Sequence, residues 1–155
     1  MKLKSLALIA MTTFALNCYA LDPIPTDYKK DIEDAKSEME ASKEERQKIK
    51  KLAELTGDES LANFSDNLET MLETTANCFS KEDEIKMSIC VLEGLEKLAG
   101  NGNYIAGHAL GNTYEEVGNN EKAIEWYEKA INNTDLPVFY KPEIESDLQR
   151  AKEKL

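Results

Sequence analysis

The sequence predicts an all-α protein built as an antiparallel stack of helix hairpins. Three observations lead there. No proline occurs between Pro25 and Pro137, so nothing in that stretch removes a backbone donor from a helix interior. Glu, Lys, Ala and Leu dominate it, and clusters of β-branched residues are few. Apolar side chains recur three or four residues apart, the spacing that lines one helix face. Gly57, Gly100 and Gly118 stand where those patterns end.

Residues 1–20 read as a secretory signal peptide. Lys2 and Lys4 give a charged start, Leu6 to Leu16 is an uncharged, mostly apolar run, and Ala20 is a small residue at the expected cut. The run is shorter than the roughly 20 apolar residues that a permanent membrane helix needs. Acylation at Cys18 is less favoured, because Leu16 and Asn17 stand where lipoprotein signals carry small residues. The expected destination is therefore the periplasm or the exterior.

Removing residues 1–20 takes two lysines from the 19 basic residues and leaves 30 acids, a formal charge of −13. Such a surface repels phosphate backbones, and no basic stripe offsets it, so nucleic acid is excluded as a partner. It also disfavours anionic membrane surfaces. A basic protein or peptide would be attracted.

Residues 21–56 form a charged helical segment. Tyr28, Ile32, Ala35 and Met39 keep an inward stripe, and Ile49, Leu52, Ala53 and Leu55 resume it. Between them, Glu40 to Lys48 is almost wholly polar, which argues against a sustained coiled coil. Ser42 with Glu45 three residues on has capping-box spacing, so this is one long helix or two shorter ones. Lys–Glu pairs three and four apart support either form.

A helical domain is expected over 57–155. Its first helix is capped by Ser60 and buries Leu61, Phe64, Leu68, Met71, Leu72, Thr75 and Phe79. Ser80 with Asp83 marks the next start, and Ile85, Ile89, Leu92, Leu95, Leu98 and Ala99 face inward before Asn101-Gly102 breaks the chain. Cys78 and Cys90 are an even pair in an oxidising compartment. A bond between them would need residues Ala76–Phe79 to unwind and fold back, since bridged Cα atoms sit within about 7 Å. Two separately buried thiols are the alternative. Two cysteines and the distant His108 are too few for a closed zinc shell, so no metal is expected.

From Tyr104 to Pro137 the spacing is more specific. Leu110-Gly111, Tyr114, Gly118, Ala123, Tyr127 and Ala130 fall where a 34-residue helix-hairpin pattern has Leu-Gly, Tyr, Gly, Ala, an aromatic and Ala. On these residues the segment resembles a tetratricopeptide repeat. Trp126-Tyr127 with Lys129-Ala130 is also similar to the Sel-one-like subfamily, although the longer glycine-containing loop of that subfamily is missing. Gly107 departs from the pattern, standing where tryptophan is frequent. The resemblance implies that Gly111 and Ala123 let two antiparallel helices approach while Tyr114 and Tyr127 fill the gaps. Gly118 would end the first helix and Asn120 cap the second. A degenerate echo lies upstream, where Glu93–Leu98 parallels Glu125–Ala130, giving one or two repeats in all. Pro142 opens a capping helix over 141–155 with Ile144, Leu148, Ala151 and Leu155 inward. Glu143, Glu145, Asp147, Arg150 and Lys152 form its outer side.

No phosphate loop, nucleophile elbow or histidine-rich motif is found, so the reading is non-enzymatic, without cofactor. His108 reads as a structural or surface residue. The sequons Asn63-Phe64-Ser65 and Asn132-Asn133-Thr134 read as incidental. Tetratricopeptide stacks hold partner segments in a groove lined by the first helix of each pair. Carried onto this chain, the resemblance implies Ile105, His108, Asn112, Glu115 and Glu116 as partner-binding residues. Alternatively, this face packs against the upstream helices. The expected role is an adaptor or assembly factor. The alternative is an inhibitor or immunity protein that captures a basic toxin or enzyme, and a hydrolase stands a distant third.

Overall fold

A computed structural model describes residues 28–81 and 84–155. The expected signal peptide, Cys18 and Asp83 lie outside them. The described residues form helices α1 (Tyr28–Ala41), α2 (Lys43–Thr56), α3 (Glu59–Cys78), α4 (Glu84–Gly100), α5 (Tyr104–Glu116), α6 (Asn120–Ile131) and α7 (Lys141–Glu153). No strand occurs among them. From α2 onward each helix packs on the next, most extensively α5 on α6 and α6 on α7, while α5 also touches α3 and α7. The α3, α5 and α7 helices therefore make one layer, with α4 and α6 outside it.

The polar gap resolves as two helices separated by Ser42. The expected capping box does not form, because Ser42 is itself helical in backbone and its hydroxyl caps no amide. Instead Ser42 Oγ (2.9 Å) and Arg46 Nη1 (2.9 Å) both donate to the Met39 carbonyl, and Arg46 also bonds Ser42 Oγ. Gly57 ends α2 with φ 66°, and its amide reaches the Ala53 carbonyl at 2.9 Å. Leu52 and Leu55 are exposed, so of the second stripe only Ala53 is buried and Ile49 half-buried.

Asp58 caps α3, not Ser60. Its carboxylate accepts the amides of Ser60 (2.9 Å) and Leu61 (3.3 Å) as well as the Ser60 hydroxyl (2.7 Å). A carboxylate also complements the helix dipole at this end, an advantage serine lacks. Phe64, Leu68, Met71, Leu72, Thr75 and Phe79 are buried as expected. Ser80 donates to the Asn77 carbonyl (3.0 Å) at the end of α3, and the expected start at Ser80 with Asp83 involves residues outside the described ones.

Cys78 and Cys90 are bonded, with Cα atoms 5.7 Å apart. The unwinding of Ala76–Phe79 is not needed. The helix runs through Cys78, and the Phe79 amide still reaches the Ala76 carbonyl at 3.1 Å. Cys90 lies six residues into α4, about 9 Å along its axis, so α4 starts beyond the end of α3 and passes Cys78 on its return. The buried row of α4 is Met87, Val91 and Leu95, whereas Ile89 is half exposed.

In α5, Tyr104 to Tyr114 are buried except for half-buried Asn112. Asn103 caps the helix by accepting the Ala106 amide (2.9 Å) and ties it to α3 by donating to the Asn67 carbonyl (2.8 Å). Gly111 has no room for a side chain, since a Cβ there would stand 2.2 Å from the Tyr127 ring. Gly118 stops α5 with φ 75°, and the Asn119 amide returns to the Tyr114 carbonyl at 2.8 Å. Asn119, one residue before the expected Asn120, caps α6 by accepting the Lys122 amide (3.2 Å), while Asn120 donates to the Lys154 carbonyl (3.3 Å). Ile144 and Ala151 of α7 are fully buried and Leu148 packs beside them. Leu155 is 76% exposed, because α7 ends at Glu153 before the chain completes another inward turn.

Candidate functional site

Of the five residues expected to line a groove on α5, Ile105, His108 and Glu115 are buried. Asn112 is half-buried and Glu116 reaches solvent. This corrects the expectation of an open surface on α5. For His108 and Glu115 the covering elements come later in the chain. Residues 132–140 form a strap between α6 and α7, and its Tyr140 sits over α3 and α5. The Tyr140 ring lies 5.3 Å from Phe64, 6.2 Å from Tyr104 and 5.5 Å from His108. Phe139 adds an edge-on contact with Phe64 at 5.3 Å.

Beneath the strap a polar network binds α7 to α5. His108, 0% exposed, holds the Tyr140 hydroxyl at Nδ1 (2.8 Å) and Asp147 Oδ2 at Nε2 (2.7 Å). Burial opposes the charged Asp147 carboxyl, but hydrogen bonds and charge from His108 and Arg150 outweigh it and hold the group below its ordinary range. An ionised Asp147 only accepts, so Nε2 carries a proton; in the neutral ring, Nδ1 accepts from Tyr140. Arg150 donates to Asp147 Oδ1 (2.6 Å) and, through Nε (2.7 Å) and Nη2 (2.8 Å), to both oxygens of Glu115. Lys154 (2.7 Å) and the Tyr127 hydroxyl (2.8 Å) also donate to Glu115. Burial alone would raise the Glu115 carboxyl, yet these donors overcome it and set it at about 2. Asp147 and Arg150, expected on the outer side of α7, are thus part of this network.

An Asp–His–Tyr chain has the order of a proton relay, but here it is closed. Burial pushes the Tyr140 hydroxyl well above its usual range, and the imidazole is buried. The arrangement orients helices and strap. Asn112 Oδ1 lies 2.6 Å from Tyr127 Oη and shares its proton with Glu115, which fixes the ring that Gly111 accommodates. The signature residues Leu110, Gly111, Tyr114, Ala123, Tyr127 and Ala130 all lie in the α5–α6 hairpin and are buried, with exposed Gly118 at its turn. The Tyr104 hydroxyl is buried without a hydrogen-bond partner among the described residues.

Two features escaped sequence reasoning. One is the network on α7, whose acids and bases look like an ordinary solvated face. The other is a cleft of about 560 Å³ between the first turns of α3 (Glu59, Ser60, Asn63) and the strap (Thr134 to Phe139). The signal for the first was present: Tyr104 to Tyr114 contains no charged residue, which is unusual for a helix with an open face. A comparison with known proteins finds no matching family model, no matching curated protein and no matching solved structure.

Proposed function

We propose that this chain is an exported, non-enzymatic interaction module of tetratricopeptide type, acting as an adaptor or assembly factor through a protein partner. The observation that carries the reading is the wedge of the Tyr127 ring against Gly111, which joins α5 and α6 at the spacing of that repeat. The Glu93–Leu98 segment supports a second, degenerate unit, because it lies on α4 as Glu125–Ala130 lies on α6. There Gly94 brings α4 within 2.7 Å, at an added Cβ, of the Thr74 side chain on α3. The bonded Cys78–Cys90 pair supports passage into an oxidising compartment after cleavage at Ala20.

Affinity purification of the tagged protein from its own host tests this. The expected result is a stoichiometric partner with no substrate turned over. Turnover in a broad hydrolase screen, with no partner recovered, overturns it. The formal charge of −13 after cleavage favours one second reading, an inhibitor or immunity protein that captures a basic toxin. That reading predicts association that slows steeply with salt; salt-independent capture refutes it.

A further inference from the structure

The strap has two sides. Its inner side, Pro137 and Tyr140, is buried and pinned, with the Tyr140 hydroxyl on His108 and the Tyr140 amide on the Pro137 carbonyl (3.0 Å). Its outer side presents Val138, 88% exposed, and Phe139, 55% exposed. These side chains stand on a base fixed at both ends, so presenting them costs a partner little ordering. A rigid aromatic at the middle of a patch is the residue type that dominates binding energy when covered.

The cleft beside this ridge is acidic. Its charged lining residues are Glu59 and Asp135. The neighbouring cation at the start of α7, Lys141, faces Glu145 at 3.8 Å and does not line the cleft. An apolar ridge next to an acidic cleft calls for a complementary occupant. We propose that the cleft and the Val138–Phe139 ridge dock an extended segment of a partner protein, one carrying an apolar side chain flanked by lysine or arginine. The apolar side chain covers Phe139 and Val138, while the cations meet Glu59 and Asp135 and speed encounter with an acidic protein. The proposal rests on the interaction-module reading and moves its docking site from α5 to the strap.

The test is an amide chemical-shift titration of the protein with a short synthetic peptide of alternating lysine and leucine. A glutamate–leucine counterpart serves as control. Shifts should gather at residues 59–63 and 134–139, and added salt should weaken them. Glu59→Lys with Asp135→Lys should raise Kd about tenfold or more, as should Val138→Ser alone. All three side chains are exposed, so the helical circular dichroism should be unchanged. Shifts centred on Leu52 and Leu55, equal binding of the glutamate peptide, or no shifts at saturating peptide would each overturn the proposal. So would self-association that protects the strap, which would make a second copy the occupant. Peptide shifts elsewhere, with a host partner still recovered, defeat the cleft alone; loss of the partner together with turnover defeats the module.

Discussion

The α5–α7 half of the stack and the α1–α2 half are fixed by different physics. In α5–α7 a helix is buried on nearly every side, a glycine is filled by a tyrosine ring, and one buried carboxylate gathers Arg150, Lys154 and Tyr127. In α1–α2 the buried residues among the described side chains are Ile32, Ala35 and Ala53, and the ion pairs Lys43–Glu40 and Lys48–Glu44 lie in solvent. The difference teaches that propensity with a thin apolar stripe makes a helix here, whereas shape and desolvated charge make a specific neighbour.

Substitutions can break or sharpen that contrast. The largest loss should follow Arg150→Ala. Arg150 is half exposed but Glu115 is not, so removing the cation leaves a buried carboxylate with only Lys154 and Tyr127 as donors. Equilibrium denaturation should register about 3 kcal/mol, the lower end for breaking a buried pair because Lys154 remains. Glu115→Gln should cost less, since Arg150 and Lys154 can turn to water. The same group sets an acid limb. Because Glu115 lies below its ordinary 4.5, its contribution is complete above that pH and is lost as pH falls toward about 2. Acid titration of Arg150→Ala should therefore give a flatter limb over that window.

Gly111→Ala comes close behind, also at about 3 kcal/mol by denaturation, because its Cβ displaces the Tyr127 ring from Asn112 and Glu115. Gly107→Ala is the control. Its Cβ would meet Ala130 Cβ at 3.4 Å, an ordinary contact, and stability should change by less than about 1 kcal/mol. Replacing both Cys78 and Cys90 with alanine should cost a little under about 3 kcal/mol, since the bond closes a short loop in the unfolded chain. In the other half, Lys48→Ala should leave the melting temperature unmoved within calorimetric error, as both partners of its ion pair are exposed. Tyr104→Phe should raise stability by about 1 kcal/mol, removing a buried hydroxyl that finds no partner. A lower melting temperature for that variant would show that the hydroxyl has an unseen partner.

Much of the architecture was legible in the sequence because helix faces and glycine stops are local. The rows through Phe64 to Phe79 and the turn at Gly118 follow from spacing alone. Caps slipped by one or two residues, Asp58 for Ser60 and Asn119 for Asn120, because neighbouring residues share the same capping chemistry and local pattern cannot rank them. The α4 face keeps Leu95 but shifts from Ile89 to Met87 and Val91, because apolar residues occupy more than one side of that helix. The expected groove failed for a non-local reason. Whether His108 faces water depends on where the strap and α7 return, some thirty to forty residues later, and no periodicity within α5 encodes that. The cleft is likewise made by segments distant in sequence.

The ion cluster inside α5 carries a consequence for biogenesis. Arg150 and Lys154 are synthesised 35 and 39 residues after Glu115, so until α7 arrives Glu115 has neither cation beside it. A shortened polypeptide would keep that acid in water and hold the hairpin open to proteases. Closure of the α5–α6 hairpin around Glu115 thus waits on delivery of α7.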